Sequence, residues 1–234
     1  MAKLKVFIAV IFSLFTATVL ADLGGNIAVT TDYVWRGVSQ TLGDPALQAE
    51  VSFEHDSGFY AGIWGSNVDF FDEGDPESDP ADDDEADVEV DVWVGFAGET
   101  AGGLGWDVGV IAYLFPGANR DVLDNSEEFY AGLSYGYFSA TAYQDFDNDT
   151  TYIDLGAEFE LPQEFGLGVH VGSFNFDTGT DYADWKVALS KEIAGFGFEL
   201  SYTDTDFSDT ECEDFSGKPD LCDETLVFTV SREF

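Results

Sequence analysis

The chain has 234 residues and a formal net charge of −39, with Lys plus Arg at 8 against Asp plus Glu at 47. Such an acidic balance excludes a nucleic-acid binder, because phosphate contacts need clustered Lys and Arg. An aromatic fraction of 16% excludes a disordered chain, and a single apolar run near membrane length excludes a bundle of membrane helices.

Residues 1–21 read as a secretory signal peptide. Lys3 and Lys5 give the basic start, Val6 to Leu20 the apolar run, and Val19-Leu20-Ala21 a small-residue cleavage site before Asp22. Its removal takes two lysines and no acid, leaving 6 basic residues against 47 acidic ones in the 22–234 domain. Export of this kind leads to a compartment that permits disulfides.

The exported part alternates with period two. Val88, Val90, Val92, Val94 and Phe96 alternate with Glu89, Asp91, Trp93, Gly95 and Ala97. Ile153, Leu155, Ala157 and Phe159 alternate with Tyr152, Asp154, Gly156 and Glu158. The pattern predicts twelve strands, near 25–38, 45–55, 58–70, 87–98, 103–115, 127–137, 138–147, 150–161, 165–176, 182–192, 195–205 and 223–234. The third and seventh alternate poorly, which leaves a range of about 10 to 14 strands. All six prolines fall in proposed loops or at a strand's first residue, where no ladder hydrogen bond is lost.

Each strand is about long enough to cross a bilayer at a tilt. The connections alternate between tight turns and longer loops, and that pattern predicts an antiparallel transmembrane β-barrel with both ends of the domain on the periplasmic, short-turn side. A secreted β-sandwich is the competing architecture. The polar face is crowded with Gly, Ser, Glu and Asp, which suits a wet lumen better than a sandwich core. Aromatics are expected to form two interfacial girdles: Phe59, Tyr60, Tyr137, Phe138, Phe165, Phe196 and Phe234 on one side, and Tyr33, Trp35, Phe70, Phe115, Phe129, Phe174 and Tyr182 on the other.

The strand from Thr225 to Glu233 closes on Phe234. A final strand ending on phenylalanine resembles the assembly signal of Gram-negative outer-membrane proteins, which implies the barrel-assembly machinery as a partner. The stretch from Asn26 to Thr41, with Thr30, Asp32, Tyr33, Arg36, Gly37, Ser39 and Gln40 between them, resembles the opening of the TorF-type porin family. Pro45 and the segment Gly58 to Val68 fit the same pattern. The resemblance covers about the first fifty residues after the signal and implies a small outer-membrane, porin-like barrel. It leaves the solute undefined.

If the apolar partners face lipid, alternation places Asp32, Glu50, Glu54, Glu89, Asp91, Asp107, Asp154, Glu158, Asp184 and Glu199 inward. Arg36 and Lys186 are the inward bases, with His170 titratable. Acidic rings attract cations, so the expectation is a pore for passive diffusion of small solutes with a preference for cations. Arg36, one repeat along from Asp32, is read as a constriction or as a structural ion pair. A barrel that conducts nothing and acts through its acidic loops is the alternative function.

Two acidic segments, 72–87 and 204–224, hold much of the remaining charge. They lack the spacing of a calcium loop and read as solvated loops, with weak divalent bridging to lipopolysaccharide as the functional alternative. Cys212 and Cys222, the only cysteines, are expected to staple the last long loop as a disulfide. No cofactor fingerprint or metal spacing is found. His55 and His170 lie away from the long loops with no nucleophile motif beside them, so no enzyme is expected.

Overall fold

The computed structural model describes residues 22–69, 86–118 and 125–234. The expected signal peptide, Phe70 and the acidic stretch 72–85 lie outside the described residues.

The strands are β1 (Asp22–Thr30), β2 (Val34–Trp35), β3 (Val38–Ser39), β4 (Ala46–Glu54), β5 (Phe59–Asn67), β6 (Val88–Glu99), β7 (Gly105–Leu114), β8 (Ser126–Tyr135), β9 (Phe138–Asp145), β10 (Thr150–Leu161), β11 (Phe165–Phe176), β12 (Tyr182–Ile193), β13 (Phe196–Thr205) and β14 (Thr225–Glu233). One helix, α1 (Asp209–Ser216), precedes β14. β1 and β4 to β14 form a closed antiparallel barrel of twelve strands, shut by β1 against β14. Closure removes every sheet edge and rules out the sandwich.

Register makes the two faces explicit. Leu23, Ile27, Val29, Leu47, Val51, Ile63, Val92, Val94, Leu155, Val171, Leu189 and Leu200 all stand exposed on the outer face. A contiguous apolar belt of this size would be a severe liability in water, so it is a lipid-facing surface. Many of the inward partners are small or polar. Gly24↔Ser52, Gly168↔Ala188 and Gly197↔Ser231 face each other across strand pairs.

Short turns join the strands at one end, and the connections at the other are mostly longer, although only Phe146 to Asp149 join β9 to β10. Both ends of the domain lie at the short-turn end, where the Gly25 and Phe234 backbones exchange two hydrogen bonds of 3.1 and 3.0 Å. The Phe234 ring lies outward across Gly25. His55 sits in a short turn, where Ser57 N donates to its Nδ1 at 3.1 Å.

The aromatic girdles are only partly as expected. Phe59, Tyr137, Phe138, Phe196, Phe234 and Phe129 point outward. Tyr60, Phe174 and Tyr182 are buried and point inward, because each shares parity with an inward row: Tyr60↔Gly95, Phe174↔Tyr152 and Tyr182↔Phe174. Height along a strand was legible in the sequence; parity had the deciding say.

Inward rings need inward glycines. A β-carbon at Gly95 would run into the Tyr60 ring and stand 2.7 Å from the Val108 carbonyl. Gly95→Val is expected to cost about 1–3 kcal/mol by overpacking, read as a lower temperature for loss of the compact, heat-modifiable gel band.

Candidate functional site

The site is built on a hairpin that folds into the barrel. β1 ends at Thr30, and β2 and β3 pair through Val34↔Ser39 and Trp35↔Val38. Only Arg36 and Gly37 remain to make the turn. Their φ values are 47° and 82°, the left-handed pair of a type I′ hairpin. Gly37 also has no room for a side chain, since a β-carbon there would stand 2.9 Å from Asp184 Cβ. This overturns the expected continuous strand over 25–38. Asp32 and Arg36 are hairpin residues, and neither lies on a barrel strand.

A polar knot keeps the hairpin in shape. Ser39 Oγ donates to Asp32 Oδ1 at 2.7 Å, and Thr41 Oγ1 lies 3.0 Å from the same oxygen. Tyr33 N donates to Thr41 Oγ1 at 3.1 Å, and Gln40 N donates to the Tyr33 carbonyl at 2.6 Å. Thr30 Oγ1 donates to the Asp32 carbonyl at 2.8 Å. Thr30, Asp32, Ser39, Gln40 and Thr41 of the opening stretch therefore each help to hold this hairpin.

Arg36 is its anchor. Nη1 and Nη2 donate to Glu128 Oε1 and Oε2 at 2.8 and 2.7 Å, a bidentate fork. Tyr113 Oη donates to Glu128 Oε2 at 3.0 Å, and Tyr182 Oη donates to the Arg36 carbonyl at 3.1 Å. The guanidinium carbon lies 4.0 Å from the Tyr152 ring centre, 4.2 Å from Trp35, 4.7 Å from Phe174 and 5.2 Å from Tyr143. The Arg36 and Glu128 side chains are only 6% and 5% exposed. A buried charge is tolerated only when it is paired and hydrogen-bonded, and this one is both.

Three of those rings belong to one row of the wall. Register aligns Gly109↔Tyr130, Tyr130↔Tyr143, Tyr143↔Tyr152, Tyr152↔Phe174 and Phe174↔Tyr182 across β7 to β12. Beside this row, His170 Nε2 meets Asp184 Oδ1 at 2.6 Å and Nδ1 meets Asp154 Oδ1 at 3.2 Å. Tyr152 Oη donates to Asp184 at 3.0 Å. With one carboxylate at each ring nitrogen, His170 braces β11 against β10 and β12.

Strand register puts Glu50, Glu54, Glu89, Asp91, Asp107, Asp154, Glu158, His170, Asp184, Lys186 and Glu199 on the inward face. Two environments separate them. Near the long-loop end, the hairpin and rings bury Glu89, Asp91, Glu128 and Asp184. Glu89 Oε2 and Asp91 Oδ1 have no hydrogen-bond partner among the described residues. Toward the short turns, Glu50, Glu158 and the pair Lys186–Glu199, at 2.9 Å, remain partly exposed among glycines and serines. Asp107 accepts from Tyr60 at 2.5 Å, and Tyr60 in turn contacts Tyr130.

A cap closes over the hairpin. Cys212 and Cys222 form a disulfide with Cα atoms 5.9 Å apart, buried with Val38, Leu221, Tyr182 and Phe174. Ser39 N donates to the Leu221 carbonyl at 2.9 Å, tying the hairpin to the loop.

Residues 16–234 match the family described as "Bacterial protein of unknown function (Gcw_chp)". The chain belongs to this family. No curated protein matches it. Among solved structures, the Gcw_chp chain is similar to the KdgM porin, with a TM-score of 0.58 at 7% identity, over 90% of this chain and 98% of that one. It is also similar to the KdgM porin in complex with disordered oligogalacturonate, with a TM-score of 0.56 at 6% identity, over 92% and 98%. At such identities the likeness establishes the fold of a porin and nothing finer.

Proposed function

We propose that the protein is an outer-membrane, porin-like channel, not an enzyme, that passes small cations. One observation carries the reading. Among the described residues the inward bases Arg36, Lys186 and His170 are each already matched to an acid, while Glu50 and Glu158 add further inward acid that stays partly exposed to the lumen. Such a lumen holds a negative potential that concentrates cations and repels anions. The KdgM porin is described with oligogalacturonate, a polycarboxylate. The acidic lumen here opposes a ligand of that charge, so that solute is not carried over. The porin-like fold supports an outer-membrane location. The family that matches is Gcw_chp and not the TorF-type porins. Assembly by the barrel machinery and contact of the acidic loops with lipopolysaccharide are part of this proposal.

The packing of the long-loop end favours a second reading, a barrel that stays shut and serves as structure. Proteoliposomes with a KCl gradient and a voltage-sensitive dye separate the two. A cation-selective channel makes the dilute side positive, and Glu50→Gln with Glu158→Gln shrinks that potential. Opposite polarity refutes the cation preference, and silence from folded, inserted protein selects the shut barrel.

A further inference from the structure

The cage around Arg36 has a consequence for the solute. We propose that Glu128, Tyr113, Tyr143, Tyr152 and Phe174 form a binding site for small guanidinium compounds, and that Arg36 fills it as an internal ligand. This rests on the reading that the lumen admits cations, and it names the class of cation.

Everything in the site except Trp35 and Arg36 belongs to the barrel wall. Tyr113 stands on β7, Glu128 on β8, Tyr143 on β9, Tyr152 on β10 and Phe174 on β11. Three of these rings are locked in one register row. The carboxylate is held by Tyr113 as well as by Arg36. The pocket therefore stays assembled when the hairpin leaves. The hairpin, for its part, keeps its shape through the Asp32, Ser39 and Thr41 knot, whose hydrogen bonds are internal. The hairpin also packs on the wall and cap through Tyr33, Trp35 and Val38 and through the Ser39–Leu221 and Tyr182–Arg36 hydrogen bonds. The Arg36 guanidinium supplies its charged contact with the wall, so a solute carrying the same group competes for that seat.

The geometry selects the class. A planar guanidinium offers two parallel N–H donors to Glu128 at the observed 2.8 and 2.7 Å while its faces lie against the rings. An ammonium has no such fork and stacks poorly. The site is thus expected to prefer N-methylguanidinium over methylammonium by about tenfold or more.

The test is calorimetric titration of refolded Arg36→Ala protein, its folding scored by heat-modifiable mobility, with N-methylguanidinium and then methylammonium. Saturable one-site binding of the first, at least tenfold tighter than the second and lost when Glu128→Gln is added, is the expected result. No saturable binding, equal binding of the two, or binding indifferent to Glu128→Gln overturns the proposal. If Arg36→Ala does not refold, the wild-type channel serves. N-methylguanidinium then raises its open fraction by displacing Arg36, and an effect no larger than that of methylammonium overturns the proposal. The two readings fail separately: binding to a silent barrel keeps the site and sinks the channel, whereas a cation channel without binding sinks the site alone.

Discussion

Glu128→Leu releases the hairpin from the barrel while the barrel itself stays folded. Arg36 and Glu128 are both nearly inaccessible to water. Removing the carboxylate leaves a buried guanidinium without its counter-charge, which costs about 3–5 kcal/mol. The surrounding rings return only about 0.5–2 kcal/mol per cation–π contact, and they already contribute in the wild type. Arg36 also holds a left-handed backbone, with a cost of roughly 1–2 kcal/mol that seating normally offsets. The balance therefore shifts toward the unseated hairpin. The expected result is new protease cleavage within 31–44 and red-shifted tryptophan emission as Trp35 meets water. Heat-modifiable mobility should not change, because the twelve-strand ladder does not pass through β2 or β3. Adding Arg36→Met removes the stranded charge and should largely restore protection, since an apolar pair of similar volume can replace a buried ion pair. Equal protease resistance in wild type and Glu128→Leu would show that the fork does not seat the hairpin.

Opening the Cys212–Cys222 disulfide unfolds the cap over the long-loop end. The bridge joins residues only 10 apart. Loop closure of that length is worth at most about 3 kcal/mol. Beyond the bridge, the cap is held by Phe207 and Phe215 against Phe176 and Tyr182 and by the Thr205 Oγ1 hydrogen bond to the Cys222 carbonyl at 2.9 Å. α1 has eight residues, too few to stand alone, although Ser208 and Glu211 cap it reciprocally. Those hydrogen bonds hold the Glu211 carboxyl below the usual range, so the capping contribution is present at neutral pH and is lost on acidification. Asp209, Glu211, Glu213, Asp214, Asp220, Asp223 and Glu224 repel one another across the loop. Reduced protein, or Cys212→Ser with Cys222→Ser, should be cut within 206–224 where oxidised protein is not. The cleavage should be faster at low salt, where repulsion is unscreened. The hairpin should loosen in turn, because the Leu221 carbonyl accepts from Ser39 N. The same digestion pattern with and without the bridge would contradict this account of the cap.

The barrel was legible because its physics is local. Alternation along each strand is a short-range signal, and β6, β10 and β11 fall within one residue of their expected spans at either end. The first strand was not. Val34, Trp35 and Val38 continue the apolar pattern past Thr30, so 25–38 reads as one strand. The signal against it was the Arg36-Gly37 pair between two extended dipeptides, where only positive φ closes the turn. Glu128 was missed for a different reason. Its inward parity is visible, but its partner lies 92 residues away in sequence. No local pattern announces such a pairing. The inward Tyr60, Phe174 and Tyr182 differ from Glu128 in that their parity is readable along each strand. They stand at the height of a girdle, but height does not decide which face a ring takes.

Single-channel recording of wild type and Glu128→Leu, side by side under one KCl gradient, tests the central claim most directly. The account predicts that both reverse on the cation side and that the variant is open for a several-fold larger fraction of time. Equal open fractions, or reversal on the anion side, would contradict it.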